Sequence, residues 1–234
     1  MRPLAAVILA AGKGTRMGGD IPKVCHELRG KPLIAHVLQA LVPLSPARVI
    51  IVVGYRAEAV AGAVRAYSTL PIEFVLQEEQ RGTGHAVAAT KDRLADFRGD
   101  VLIRYGDTPL IRSETLARLY ETHRSERATG TLLTALLRDP TGYGRIIRDS
   151  AGCVVRIEEE KSATEEERRI REVNAGAYCY HAPALFRALE RINPNSANNE
   201  LYLTDVVRVL TSRGRSVVAI PAALPDEILG VNTP

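Results

Sequence analysis

A chain of 234 residues, 46% hydrophobic and 25% charged, is long enough for a domain with a sizeable buried core, and it has no apolar run near the roughly 20 residues that span a bilayer. Its three cysteines, Cys25, Cys153 and Cys179, are odd in number and lack metal-ligand spacing, so they read as idle thiols of a cytoplasmic protein. A net charge of +4 suits an anionic substrate, and basic residues scattered without interleaved aromatics give no nucleic-acid surface.

The first segment, Met1–Gly12, breaks into glycine and charge after a short apolar stretch, which suits a strand and loop better than a secretory leader. Within it, Leu4–Leu9 is a continuous apolar run, the pattern of a strand buried on both faces. After Pro32, Leu33–Leu41 carries apolar residues at helical spacing. Val49–Val53 is a second buried strand closed by Gly54, Ala57–Tyr67 a helix and Ile72–Leu76 a third strand. A helix from about His85 to Leu94 and the strand Val101–Tyr105 continue the alternation, which implies parallel pairing with right-handed crossovers. The second half changes character. Gly130–Leu137 reads as a strand, and Arg145–Arg148 and Cys153–Ile157 as short strands of an antiparallel insertion after the turn Gly142-Tyr143-Gly144. Ala175–His181 is another strand, Leu201–Thr211 a helix and Val217–Ile220 a last strand. No linker or fixed repeat divides the chain. The expectation is an α/β fold, a Rossmann-like, mixed and mainly parallel sheet with a small antiparallel insertion. It forms one domain over 1–234, with a cleft between a first half of about 1–110 and a smaller half of about 111–234.

The loop after the first strand carries the strongest local signal. In Leu9-Ala10-Ala11-Gly12-Lys13-Gly14-Thr15-Arg16-Met17, Gly12 and Gly14 let the backbone turn tightly and expose N–H groups to an anion. Arg16 can bond phosphate oxygens through a bidentate fork, and Lys23, after Pro22, adds a second positive charge. A Walker A loop needs four residues between its glycines and then Lys-Ser/Thr, which this segment lacks. A dinucleotide fingerprint needs a third glycine where Met17 stands. Both fail, leaving a nest and two cations suited to a triphosphate. Asp107, just past a strand predicted to be parallel, lies at the sheet edge where ligands bind and offers a hard oxygen to a cation. Gln77 carries both a donor and an acceptor, as reading an imide edge requires. Thr83 also reads as an N-cap for the following helix. The five histidines, His26, His36, His85, His123 and His181, share no ligand spacing, and most read as surface or capping groups.

Six ordered segments together resemble the sugar-phosphate nucleotidyltransferases. They are Leu9–Met17 with Pro22-Lys23, Gln77–Ala86, Tyr105–Leu110, Asp139–Ile146, Glu172–Gly176 and Gly230-Val231-Asn232. Among that family they are most similar to the pyrophosphorylase part of the bacterial N-acetylglucosamine-1-phosphate uridyltransferases. The resemblance covers essentially the whole chain. It implies a nucleotidyltransferase (GT-A-like) fold and a cytoplasmic, Mg²⁺-dependent enzyme. That enzyme transfers UMP from UTP to N-acetylglucosamine 1-phosphate, a step of UDP-N-acetylglucosamine, peptidoglycan and cell-wall synthesis. Bifunctional family members add a C-terminal left-handed β-helix acetyltransferase domain; its hexapeptide repeats are lacking here, so acetyl transfer is not expected of this chain. No membrane insertion and no nucleic-acid partner are implied.

Carried over residue by residue, the resemblance makes Arg16, Lys23 and Asp107 catalytic, and Asp107 and Asn232 the metal ligands. Leu9, Ala10, Ala11, Gly12, Gly14, Gln77, Gly82 and Thr83 would hold the nucleotide in the first half, with Gln80 in support. Tyr105, Gly106, Gly144, Glu159, Asn174, Tyr202 and Thr204 would hold the sugar, mainly from the second half. The phosphate nucleophile is already an anion, so positioning and electrostatics rather than a general base should carry the chemistry. Close alternatives keep the fold and change the sugar 1-phosphate, or replace UTP with dTTP or CTP. A more distant one is a non-catalytic protein that binds nucleotide sugars.

Overall fold

The computed structural model describes residues 2–14, 20–195 and 198–230. β1 (Leu4–Ala10) is followed by a small hairpin, β2 (Glu27–Leu28) and β3 (Lys31–Pro32), and by α1 (Leu33–Gln39). Next come β4 (Arg48–Val53), α2 (Ala57–Tyr67), β5 (Ile72–Leu76), α3 (Thr83–Ala88), β6 (Asp100–Tyr105) and α4 (Ser113–Ser125). The second half supplies β7 (Gly130–Leu136), β8 (Arg145–Arg148), β9 (Val154–Glu158), α5 (Glu165–Arg168) and β10 (Glu172–His181). It ends with α6 (Ala182–Leu189), α7 (Asp205–Thr211) and β11 (Val217–Pro221).

The main sheet has the order β11-β7-β10-β6-β1-β4-β5. Its pairs are parallel except those of β10, which runs antiparallel to both β6 and β7. The β8–β9 hairpin hangs from β10 through Val173 and Arg145, giving the expected antiparallel insertion. Continuous apolar runs make the central strands because both sheet faces are covered. Alternation sends Ala6, Ile8, Val49, Ile51 and Leu102 to a face packed by α1, α2 and α4. Their neighbours Ala5, Val7, Ile50, Val52, Val101 and Ile103 face α3, α6 and α7. Each large aliphatic side chain buried this way contributes about 1.5–3 kcal/mol. Among the described residues no helix is long and apolar enough to cross a membrane.

Several elements differ from the sequence reading. The helix expected over His85–Leu94 stops at Ala88 and gives way to a 3₁₀ turn at Asp92–Leu94. α7 begins at Asp205 rather than Leu201, because residues 201–203 are bonded to the segment around Gly82. α4 buries only Thr115, Leu116, Leu119 and His123, a stripe too thin to stand out as an apolar pattern. His123 is neither a surface nor a capping group. It is fully buried, with Nδ1 2.9 Å from Thr131 Oγ1 and Nε2 3.5 Å from the buried Asp100 carboxylate.

From β1 the chain moves outward through β4 and β5, then returns to the opposite side of β1 with β6. A crevice opens at such a reversal, beyond the carboxyl ends of the strands. The loops after β1, β5 and β6 meet there.

Candidate active site

The floor of the crevice is stitched by main-chain bonds. Gly106 N–H donates to Leu9 O at 2.9 Å, Tyr55 N–H to Ala11 O at 3.1 Å and Gln77 N–H to Val53 O at 2.7 Å. Above the floor lies a cavity of about 510 Å³. Leu9, Ala10, Ala11, Gly12, Gly14, Lys23, Gln77, Gly82, Thr83, Tyr105, Asp107 and Tyr202, all anticipated from the sequence, line it together with Gln80 and Glu200. Arg16 and Asn232 lie outside the described residues.

The two glycines of the loop do different work. A Cβ on Gly12 would meet nothing within 4 Å among the described residues, which leave that backbone open to a ligand. Gly14 has φ +68°, and a Cβ there would lie 2.6 Å from Lys23 Cβ. The lysine stem therefore packs directly on the loop, and Gly14 permits it. Lys23 opens a 3₁₀ turn, and its Nζ reaches Asp107 Oδ2 at 2.5 Å across 84 residues of sequence. Asp107 sits two residues beyond β6, in a turn held from below. The buried Arg104 guanidinium donates to Thr108 O at 2.7 Å, and Thr108 Oγ1 donates to Tyr105 O at 3.1 Å. Burial lowers the Arg104 pKa to about 9. Lys13, the other loop cation among the described residues, stands over the Tyr55 ring, 5.4 Å from its centroid.

At the far side of the cavity, the segment after β5 is bound to the segment before α7. Gly84 N–H donates to Leu201 O at 2.7 Å, Leu201 N–H to Arg81 O at 2.8 Å and Leu203 N–H to Thr83 Oγ1 at 3.0 Å. Thr83 is thus the first residue of α3 and not its N-cap; Gly82 holds the cap position, and Thr83 Oγ1 accepts from Leu203 N–H while the side chain also bonds Tyr105. Gly82 has φ +95°, and a Cβ would lie 2.5 Å from Leu201 O. Gly82→Ala should therefore cost about 2–4 kcal/mol from backbone strain and overpacking. Thermal unfolding should show the midpoint falling by about 5–15 °C; an unshifted midpoint would mean that the contact relaxes freely.

Gln77 is buried. Its Nε2 donates to Gly82 O at 3.1 Å and lies 3.0 Å from His85 Nδ1. His85 is a supporting residue that spacing alone did not single out; its place eight residues after Gln77, one helical turn inside α3, is the signal that was there to read.

The residues expected on the sugar side gather around β10. Asn174 N–H donates to Gly144 O at 2.8 Å, and a Cβ on Gly144 would lie 3.5 Å from Glu159 Oε2 and 3.7 Å from Asn174 Cβ. Thr204 Oγ1 donates to Glu159 Oε1 at 2.7 Å. Glu159, Tyr202 and Thr204 also line a neighbouring cavity of about 400 Å³. Gly106, Gly144, Glu159, Asn174 and Thr204 do not line the larger cavity; Gly106 underlies it, where a Cβ would meet Val24 and Leu9 O. Burial pushes the Glu159 carboxyl above its usual range, against the Thr204 hydrogen bond. Burial also pushes the Tyr105 phenol up to about 12.

A hard cation fits beside Asp107. The carboxylate is 28% exposed at the cavity, and it already holds one positive charge, the Lys23 ammonium. Among the described residues no cluster of three or more His, Cys, Asp or Glu could cage a metal. One or two protein oxygens completed by phosphate oxygens and water is the Mg²⁺ pattern.

A model described as the MobA-like NTP transferase domain matches residues 6–201. The bifunctional protein GlmU of Desulfotalea psychrophila is 46% identical over 99% of this chain and 67% of its own length. Those of Heliobacterium modesticaldum (47% identical) and Geobacter metallireducens (49% identical) match 100% and 99% of this chain. The chain spans 50% and 48% of their lengths, about half of each. A crystal structure of UDP-glucose pyrophosphorylase with UDP-glucose shares the fold, with a TM-score of 0.79 at 18% identity, covering 95% of this chain and 92% of that one. An apo structure of UDP-glucose pyrophosphorylase gives a TM-score of 0.76 at 17% identity, covering 95% and 91%. This chain belongs to the MobA-like NTP transferase domain family and is related over its whole length to the bifunctional GlmU proteins.

Proposed function

We propose that this chain transfers UMP from UTP to N-acetylglucosamine 1-phosphate, giving UDP-N-acetylglucosamine and pyrophosphate, with Mg²⁺ as the cation. The observation that carries the reading is the Lys23–Asp107 pair, at 2.5 Å, in a cavity that the glycine loop and Gln77 also line. A phosphate oxygen of the sugar 1-phosphate attacks the α-phosphorus, and the bond from that phosphorus to the bridging oxygen of the β-phosphate breaks. The obstacle is repulsion between two anions and the charge that builds on the leaving pyrophosphate.

In this reading the backbone from Leu9 to Gly14 cradles the phosphates, and Lys23 and Arg16 neutralise the leaving group. Asp107 and Asn232 would hold Mg²⁺, which supplies charge neutralisation on the phosphate oxygens when bound. Gln77, with Nε2 committed to Gly82 O and His85, offers Oε1 to the imide N–H of uracil, while Gly82 and Thr83 supply backbone groups beside it. Tyr105, Gly106, Gly144, Glu159, Asn174, Tyr202 and Thr204 hold the sugar, with the Glu159 carboxylate accepting from its hydroxyls. The two halves, about 1–110 and 111–234, then act as the nucleotide and sugar sides of one domain.

Pyrophosphate release should be measured across four nucleoside triphosphates and several sugar 1-phosphates, with and without Mg²⁺. UTP with N-acetylglucosamine 1-phosphate should lead, and only with the cation. A clear preference for another pair would reassign the substrate, and tight nucleotide-sugar binding without turnover would favour a binding protein.

Glu159 gives a pH-resolved check. Its folded pKa is raised above 4.5, so ionising it costs stability at higher pH; that cost shrinks as pH falls below the raised value and is gone below 4.5. Glu159→Gln should therefore unfold no earlier than the parent at neutral pH, with any gain closing as pH falls through that window. Its KM for the sugar 1-phosphate should rise about tenfold, the worth of a charge-assisted hydrogen bond, while KM for UTP holds. The parent's KM for the sugar 1-phosphate should rise in the same acidic window. A parent KM flat across it would remove the carboxylate from sugar recognition.

A further inference from the structure

β10 is irregular between Asn174 and Tyr178, and Gly176 within that stretch has φ +71°. A Cβ on Gly176 would lie 2.7 Å from the Tyr105 ring, so this glycine lets Tyr105 close over the strand. Gly176 N–H donates to Asn174 Oδ1 at 3.2 Å. That bond marks which end of the carboxamide is oxygen, so Nδ2 is the end that donates to Tyr178 Oη, at 2.7 Å. Tyr178 is fully buried, its ring stacked on Tyr180 at 6.0 Å and edge-on to Tyr105 at 6.3 Å. Its hydroxyl has one hydrogen, which the Asn174 amide nitrogen cannot accept. A buried hydroxyl hydrogen without an acceptor is costly. The oxygen in reach is Tyr105 Oη, at 3.3 Å. Burial, reinforced by the neighbouring Tyr105, pushes the Tyr178 phenol well above its ordinary range, so the hydrogen stays in place.

We propose that Gly176, Asn174, Tyr178 and Tyr105 form a hydrogen-bond chain of fixed direction that ends with the Tyr105 hydroxyl as a donor facing the cleft. The backbone N–H of Gly176 sets the Asn174 amide, Asn174 donates to Tyr178, and Tyr178 donates to Tyr105. The hydrogen of Tyr105 then points to the side where the Thr83 hydroxyl is its other hydrogen-bond partner and where an acceptor oxygen of the sugar phosphate would take it. Tyr178 is the positioning residue of this chain: it couples Asn174, beside Gly144 and Glu159, to Tyr105 in the nucleotide cavity. This step rests on the reading of the site as one for a sugar 1-phosphate.

Tyr178→Phe keeps both ring contacts and removes the relay. It should raise KM for N-acetylglucosamine 1-phosphate about five- to tenfold, as loss of one well-placed hydrogen bond does. KM for UTP should hold, while the unfolding midpoint falls by about 2–8 °C because the Asn174 amide loses its acceptor. NMR gives a readout independent of turnover. The parent should show a slowly exchanging Tyr178 hydroxyl proton that disappears in Tyr105→Phe, while the Asn174 side-chain amide resonances persist there and shift in Tyr178→Phe. A Tyr178 hydroxyl proton still protected in Tyr105→Phe would overturn the direction of the chain. Parallel losses in both KM values would overturn the positioning role, leaving a structural one. A parent inactive with every sugar 1-phosphate would sink the substrate reading alone, because the proton readout still decides the chain.

Discussion

Asp107→Asn should abolish pyrophosphate release while the protein keeps its fold. The side chain is 28% exposed and the Lys23 ammonium is its ion-pair partner. A pair open to solvent to this degree is worth about 0–1 kcal/mol, so the unfolding midpoint should move by no more than about 2–4 °C. In the proposed reaction, catalysis would depend on the same carboxylate far more heavily. A cation held against phosphate oxygens supplies several kcal/mol of charge stabilisation, and about 4 kcal/mol corresponds to roughly a thousandfold in rate. An amide keeps the shape and one oxygen but loses the charge that competes with water for the cation. The loss should come with weaker Mn²⁺ binding, measured by water-proton relaxation without substrates. An Asn variant that turns over like the parent would remove Asp107 from the metal site.

Asp107 was legible as a residue at the cleft because the apolar run Val101–Tyr105 marks a strand and its end marks a sheet edge. Its pairing with Lys23 was not, since that contact spans 84 residues and depends on Gly14 letting the lysine stem pack against the loop. The central strands could be read directly because burial on both faces leaves nothing polar to interrupt them. α7 was read four residues too long for the opposite reason: Leu203 is at helical spacing from Val206, Val207 and Leu210, but the N–H groups of Leu201 and Leu203 go to Arg81 O and Thr83 Oγ1. Those bonds join the two sides of the cavity, so a local misreading of secondary structure fell on the segment that builds the site. The same holds for Thr83, whose hydroxyl a local pattern assigns to a helix cap and tertiary structure assigns to Leu203. Glu159 stands in a run of three glutamates that composition cannot tell apart. Glu160 pairs with Arg145 and Glu158 with Arg156, while Glu159 takes the Thr204 hydroxyl. Only the packing of the β8–β9 hairpin against α7 makes that distinction.

Lys23→Ala should lower kcat by about ten- to a hundredfold or more, from the 1.5–3 kcal/mol of one charge-assisted phosphate contact. The stem of Lys23 packs on Gly14 and its ammonium lies at Asp107, between the loop that would hold the phosphates and the carboxylate that would hold the cation. The lysine holds one oxygen of Asp107; with substrates bound it would turn to the leaving pyrophosphate. These two duties separate Lys23→Ala from Asp107→Asn. Removing the ammonium lifts a competing positive charge from the carboxylate, so the Ala variant should bind Mn²⁺ at least as well as the parent while turning over slowly. Asp107→Asn should lose both. Lys23→Arg should recover only part of the rate, because the planar guanidinium is longer and cannot place a compact point charge from the same anchored stem. Full activity in Lys23→Ala, or cation binding that falls as it does in Asp107→Asn, would show that the lysine is not the group that neutralises the departing pyrophosphate.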